Sequence, residues 1–209
     1  METIVNDYLY AFQLDDIDNK SFLEKCLVLE NTIINGTPQT EKGWYGNITS
    51  ANNRHYNLFS FPIPELVKLF SHIQEKSNTL LNPKYDYVIK SWMNVYRLGD
   101  RVNWHGHWPS EFEVWHGFYC VNVGDNKSAT LYKVPGYEST ITVPSVDGKL
   151  VIGKSDNDRH CSTEWVEEAI PRITIAFDIV PLTQLSNINF ELSKLPINYP
   201  FMPFKSAKY

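Results

Sequence analysis

The chain has 209 residues, of which 43% are hydrophobic and 14% aromatic, enough apolar surface for a folded core and too much for long disorder. Its formal net charge is −5 and its basic residues are scattered, which argues against a nucleic-acid partner. We expect one domain over 1–209, with a helical N-terminal brace (1–84), a β-rich core (85–182) and an extended C-terminal strap (183–209).

Two helices are predicted in the first 84 residues. Ser21 and Glu24 have the spacing of a capping box, and apolar residues follow at helical intervals, so one helix is expected over about 20–31. A polar loop follows. A second helix is predicted to begin at Pro64, because proline suits the first turn and an i, i+3, i+4, i+7 stripe comes next: Leu66, Leu69, Phe70 and Ile73.

From about residue 85 the pattern changes to short β-rich runs separated by turn residues. The predicted strands are Tyr87–Tyr96, Trp115–Val123, Ala129–Val134, Ser139–Val143, Lys149–Gly153 and Ile170–Val180. This order predicts an all-β barrel or sandwich that carries N-terminal helices.

The most informative polar motif is His105-Gly106-His107. Residues two apart in an extended segment point to the same side, so both imidazoles can reach one ion at about 2.1 Å. Such pairs also occur by chance on surfaces, but Trp104 and Trp108 flank this one and can keep a metal site dry. His160 follows a strand and a polar turn and is the candidate third ligand. Two neighbouring ligands and one distant histidine is an arrangement that binds non-haem iron(II).

Arg172 interrupts an apolar strand, where a charge is costly unless it is paired. It forms either an internal salt bridge or a site for an anionic ligand. A guanidinium meets a carboxylate as a bidentate fork, and Thr174 lies on the same face of the strand. Such a site suits the distal carboxylate of 2-oxoglutarate.

Residues 43–178 resemble a family of 2-oxoglutarate- and iron(II)-dependent oxygenases, distantly related to prolyl 4-hydroxylases, that is found in bacteria and in phages infecting marine cyanobacteria. The resemblance rests on an ordered set of short motifs: Gly43-Trp44, Pro64-Glu65-Leu66, Trp92-x-Asn94-x-Tyr96-x-x-Gly99, His105-x-His107, Gly117-Phe118-Tyr119, His160 and Arg172-Ile173-Thr174-Ile175-Ala176-Phe177.

The resemblance implies a double-stranded β-helix of the jelly-roll or cupin type, with His105 and His160 as metal ligands. Arg172 matches the arginine that binds 2-oxoglutarate, and Tyr96 lies close to an aromatic position in the cosubstrate pocket. Prolyl hydroxylases have Asp or Glu where His107 stands, so the metal set expected here, His105, His107 and His160, departs from that family.

A cupin site is the main alternative for the same segment. Gly99, His105, His107, Glu111 and Gly117 come within one residue of the cupin metal motif, in which Glu111 would be a fourth ligand. The oxygenase interpretation is favoured because it gives Arg172-x-Thr174 a role.

A non-catalytic β-helix module that binds a sugar or a small acid is a second alternative. The remaining histidines, His55, His72 and His116, are expected in ordinary hydrogen-bonded or exposed positions.

The expected activity is therefore a dioxygenase that uses Fe(II), 2-oxoglutarate and O₂ to hydroxylate a peptidyl or small-molecule C–H bond, releasing succinate and CO₂. Three cysteines with no Cys-x-x-Cys pair, no signal peptide and no run of eighteen apolar residues indicate a soluble chain in the cytoplasm. The loops near Trp44, at 52–57 and at 108–113 are expected to select the substrate.

Overall fold

Two antiparallel sheets form most of the chain in the computed structural model, which describes residues 2–5, 7–37, 48–108, 110–124, 128–183 and 200–206. The strands are β1 Glu2–Val5, β2 Leu9–Gln13, β3 Tyr87–Tyr96, β4 Trp115–Asn122, β5 Ala129–Lys133, β6 Ile141–Pro144, β7 Lys149–Lys154, β8 Arg159–Ser162, β9 Arg172–Pro181 and β10 Met202–Lys205. The described α-helices are α1 Asn19–Gly36, α2 Ile48–Ala51 and α3 Pro64–Ser77, and short 3₁₀ turns lie at 53–55, 58–60 and 110–112.

The two sheets form the double-stranded β-helix that the sequence predicted. The larger sheet has seven strands in the order β1-β2-β7-β4-β9-β3-β10, and the smaller has three in the order β6-β5-β8. From β4 to β9 the chain passes back and forth between the sheets, because β4, β7 and β9 lie in the larger one and β5, β6 and β8 in the smaller. Residues distant in sequence therefore meet between the two sheets.

The large sheet extends into both flanking segments. In the N-terminal segment, β1 and β2 were not predicted, and β2 pairs with β7 from Leu9↔Gly153 to Gln13↔Lys149. In the predicted C-terminal strap, β10 pairs with β3. The rest of the strap up to residue 199 and the Gly43-Trp44 motif lie outside the described residues.

Helices α1 and α3 pack on the outer face of the large sheet, where their apolar residues join the main core. Helix α3 begins at Pro64 as predicted, and its stripe residues Leu66, Leu69 and Ile73 are fully buried. The capping box predicted for α1 was wrong, since Asp18 is the N-cap and accepts a hydrogen bond from the backbone N–H of Ser21 at 3.1 Å. The aspartate offers the carboxylate that a first helical turn prefers.

The central strands β3 and β9 have two chemically different faces because side chains alternate along a strand. Their odd-numbered residues join the core beneath the helices: Ile89, Met93, Val95, Ile173, Ile175, Phe177 and Ile179. Their even-numbered residues line a cavity between the sheets: Lys90, Trp92, Asn94, Tyr96, Arg172, Thr174, Ala176 and Asp178. The alternation explains how an apolar strand can carry an arginine and an aspartate.

The described helices include none with the length and hydropathy needed to cross a membrane. The three cysteines, Cys26, Cys120 and Cys161, are free thiols and are buried.

Candidate metal centre and anion site

A cavity of about 340 Å³ opens between the two sheets, and the predicted site residues His105, His107, His160 and Arg172 all line it. Side chains of the paired strands β3 and β9 form its floor. Tyr96 lies opposite Arg172, Asn94 opposite Thr174, and Lys90 opposite Asp178. The cavity therefore has an arginine end and a lysine–aspartate end.

Three imidazoles converge at this cavity. Ligand nitrogens of His105, His107 and His160 lie within 4.8 Å of one another, close to the span that donors about 2.1 Å from one ion need. The backbone brings them together, since His105 N–H donates to the carbonyl of His160 at 3.0 Å and His160 N–H returns a bond of 2.9 Å. Gly106 permits the approach, because a Cβ there would lie 2.8 Å from the carbonyl oxygen of Asp158.

Each of these imidazoles has its Nδ1 engaged by an oxygen. His105 Nδ1 lies 2.8 Å from the carbonyl oxygen of Asn103, His107 Nδ1 lies 2.5 Å from Asp178 Oδ1, and His160 Nδ1 lies 3.1 Å from Asp158 Oδ2. Such contacts fix the tautomer in which Nε2 carries the lone pair, as in carboxylate–histidine–metal arrangements. The residues present therefore fit a divalent metal.

The protonation of the cluster also suits a metal. Burial, with His107 nearby, lowers the pKa of His105 to about 4, and burial holds the pKa of His160 well below its usual value despite Asp158. Burial also acts to lower the pKa of His107, but Asp178 outweighs it and raises that pKa. His105 and His160 are thus neutral at pH 7, the form that binds a metal without first losing a proton.

His116 and Asp158 extend the cluster, and the sequence analysis assigned neither to it. His116 was expected in an ordinary position, but its ring centroid lies 4.7 Å from that of His107 and 4.8 Å from that of His160. Its Nε2 lies 3.4 Å from Asp158 Oδ2. The alternation of β4 was the available signal, since His116 shares its phase with Phe118, another cavity residue.

At the other end of the floor, the Arg172 side chain is buried at 1% exposure beneath the cavity surface. Its Nη2 donates to Ser145 Oγ at 3.1 Å, whereas Nε and Nη1 have no hydrogen-bond partner among the described residues. The guanidinium lies over the Tyr96 ring, 4.9 Å from the centroid. Two roles were considered for Arg172. In the described part of the chain no carboxylate forms a salt bridge with it, which leaves the site for an anionic ligand.

The side chains around Arg172 are polar as well. Asn94 Nδ2 donates to Thr174 Oγ1 at 3.2 Å, and Asn94 Oδ1 has no partner among the described residues. Burial raises the pKa of Tyr96, partly offset by the charge of Arg172, so its phenol stays protonated. A buried cation beside polar groups in a cavity is a receptor for an anion.

The lysine–aspartate end of the cavity has a different character. Lys90 is buried, and burial lowers its pKa to about 8 although Asp178 opposes the shift. Its Nζ lies 5.6 Å from the centroid of the Trp92 ring, which in turn lies 5.7 Å from the His107 ring. Ser50 and Asn53 also line the cavity, so part of the predicted substrate-selecting loop at 52–57 reaches it.

Other predicted residues lie away from the cluster. Glu111, the fourth ligand of the cupin alternative, is exposed and does not join the cluster among the described residues. The ring of Trp104 lies beneath the ammonium of Lys133, whose Nζ is 4.7 Å from the ring centroid. Trp108, by contrast, lines the cavity. His72 pairs with Asp16 at 2.9 Å on the surface, as expected of an ordinary histidine.

Comparison with known proteins places the fold. No protein-family model matches the sequence. No curated protein sequence matches it either. Among solved structures, a prolyl hydroxylase from Trichoplax adhaerens, in complex with a peptide fragment of the hypoxia inducible factor oxygen degradation domain, superposes with a TM-score of 0.64 at 13% identity, covering 90% of both chains. A prolyl-4-hydroxylase from Pseudomonas putida gives 0.62 at 10% identity over 86% of this chain and 95% of that one.

A third structure, the non-haem alpha ketoglutarate dependent carbocyclase SnoK from nogalamycin biosynthesis, gives a TM-score of 0.56 at 11% identity, covering 96% and 89% of the two chains. The fold is thus the double-stranded β-helix of the 2-oxoglutarate–Fe(II) oxygenases, as the resemblance implied. Because hydroxylases and a carbocyclase share it, the fold leaves the reaction and substrate to be argued from the cavity.

Proposed function

We propose that the chain is an Fe(II)- and 2-oxoglutarate-dependent dioxygenase that hydroxylates a peptidyl or small-molecule C–H bond and releases succinate and CO₂. One observation carries the proposal. A buried guanidinium, two of whose nitrogens have no hydrogen-bond partner in the described part of the chain, shares a cavity with three imidazoles whose Nδ1 atoms are all engaged. A metal site alone does not require the arginine, whereas a dicarboxylate that spans from metal to guanidinium requires both.

In this proposal His105, His107 and His160 hold the iron through Nε2. When bound, iron and 2-oxoglutarate supply the oxidative chemistry, in which O₂ is used, the 2-oxo acid loses CO₂ and one oxygen atom enters the substrate. The Arg172 guanidinium binds the far carboxylate through two parallel hydrogen bonds. The Tyr96 ring lies against the guanidinium and holds it in place for this contact. Thr174 offers a hydroxyl beside it.

The substrate enters, in this account, at the lysine–aspartate end, because the arginine end is taken by the cosubstrate. Trp92 and Trp108 give this end apolar area, and the cavity lining also offers the polar side chains of Ser50 and Asn53. A peptidyl side chain is our preferred substrate class, since the Trichoplax neighbour holds a peptide and shares the fold over most of both chains.

The test is calorimetric titration of 2-oxoglutarate into manganese-loaded protein without O₂. Arg172→Leu should leave manganese binding nearly intact and weaken 2-oxoglutarate binding by about 1.5–3 kcal/mol, roughly 10- to 150-fold in Kd. Arg172→Lys should recover only part of the loss, because an ammonium cannot form the two parallel bonds of the fork. Arg101→Leu, at an exposed arginine, is the matched control and should bind like the wild type.

Equal 2-oxoglutarate affinity in folded wild-type and Arg172→Leu proteins would make Arg172 a structural residue and remove the main support for the proposal. Manganese binding without any 2-oxoglutarate binding in the wild type would instead favour a metal protein of the cupin type. If neither ligand binds, the non-catalytic module becomes the better interpretation.

A further inference from the structure

Asp178 is the last cavity-facing residue of β9, and both of its carboxylate oxygens are engaged by neighbouring residues of a single loop. Oδ1 lies 2.5 Å from His107 Nδ1, and Oδ2 accepts a hydrogen bond from Trp108 Nε1 at 3.0 Å. The residue is buried at 8% exposure. It thus joins the loop that carries two of the three candidate ligands to a central strand of the large sheet.

The three imidazoles are neutral ligands, so a divalent ion among them brings two positive charges into a buried site with none neutralised by direct coordination. Buried charge is costly unless an opposite charge lies close to it. A carboxylate on Nδ1 of a ligating histidine answers this need, because it orients the ring and strengthens Nε2 as a donor. Asp158 does this for His160 but is shared with His116, whereas Asp178 has no second imidazole within salt-bridge distance among the described residues.

We propose that Asp178 is a positioning residue that holds His107 with Nε2 toward the metal and supplies, through the ring, negative charge that the three neutral ligands lack. Trp108 keeps the carboxylate in place by binding its other oxygen. The inference rests on the metal-binding part of the proposed function, and it adds a role for a residue that touches neither metal nor cosubstrate.

The test uses cobalt(II), whose visible spectrum reports the ligand field, in the full-length chain. Asp178→Asn should weaken cobalt binding by roughly 10- to 100-fold, the usual effect of losing such an outer partner, and should shift the visible bands. Trp108→Phe keeps the carboxylate but frees one oxygen, so a smaller loss is expected. The matched control is Asp156→Asn. Asp156 is partly buried and lies near the site in sequence, but its side chain is not one of those described in contact with an imidazole.

A second measurement needs no variant and so survives a folding failure of Asp178→Asn. In zinc-loaded wild-type protein, long-range ¹H–¹⁵N spectra of the histidine rings should show His107 protonated at Nδ1 and metal-bound at Nε2. Binding of zinc through Nδ1 of His107 would overturn the proposal. So would a folded Asp178→Asn protein with wild-type cobalt affinity and spectrum. If the wild type binds neither cobalt nor zinc, the metal site itself fails, which is a separate outcome.

Discussion

At the scale of single residues, the candidate site depends on three buried charged side chains. Arg172, Asp158 and Asp178 are each less than one-tenth exposed. Arg172 and Asp178 line the same cavity, and Asp158 contacts two imidazoles that line it, those of His116 and His160. Burial of this kind costs several kcal/mol per ion unless it is compensated. The two carboxylates are compensated by imidazoles and an indole, and in the proposed function the arginine is compensated by the cosubstrate.

The histidine cluster gives a residue-scale prediction. Purified protein should bind about one iron(II) per chain without O₂, and His160→Ala or His105→Ala should weaken this binding at least about tenfold, because each removes a direct ligand. Glu111→Gln should change the affinity by less than about threefold, since Glu111 is exposed and lies outside the cluster. Anaerobic titration with a competing chelator measures all three. A large loss in Glu111→Gln would restore the cupin alternative.

The sequence could identify the candidate ligands and Arg172, because His-x-His and an arginine in an apolar strand are visible without a fold. It could have pointed to Asp178 as well, since residues 172, 174, 176 and 178 share one face of a strand. Asp158 and His116 are different. The alternation of β4 could place His116 on the cavity face with Phe118. Nothing near His116 or Asp158 in sequence signals that β4 and the turn before β8 meet at His160, because that meeting is a tertiary contact.

At the scale of elements, strands with alternating chemistry were easier to predict than short apolar ones. Strand β3 was predicted at its observed bounds, and β4, β5, β6, β7 and β9 within two residues at either end. Strand β2 was missed because its residues from Leu9 to Phe12 are all apolar or aromatic, so no alternation of polar and apolar residues is visible. Its partner, β7, lies 140 residues later, and no local signal shows such a pairing.

Gly117 gives the element-scale prediction. It lies in β4 where a Cβ would meet the Val151 carbonyl oxygen at 2.2 Å and the Phe177 ring at 2.5 Å. Because the Val151 backbone would have to shift to accept a methyl group, Gly117→Ala should lower the free energy of unfolding by about 1–3 kcal/mol. Gly36→Ala, at the end of α1 with open space around it, is the matched control and should change stability by less than about 1 kcal/mol. Chemical denaturation followed by circular dichroism measures both, and equal effects would contradict the close packing of β4.

At the scale of the whole molecule, the β-helix brings together segments that are 20 to 73 residues apart in sequence: residues 105–107, Asp158 and Asp178. The outer faces of β3 and β9 are fixed by packing against the helices, which leaves their inner faces to carry polar groups. The apolar–polar alternation of the sequence therefore predicted a β-fold, whereas the strand order, and with it the depth of the cavity, depends on non-local pairing.

In the proposed function, this cavity couples a bound metal to the breakdown of 2-oxoglutarate. The most direct measurement is succinate formed from 2-oxoglutarate by the purified chain with added iron(II) and O₂, alone and with a cell lysate as a source of substrate. We expect metal-dependent succinate from the wild type, increased by lysate and reduced at least tenfold in Arg172→Leu and His160→Ala, with Arg101→Leu unchanged. Iron-loaded wild-type protein that forms no succinate above the level of the Arg172→Leu variant, with or without lysate, would contradict it.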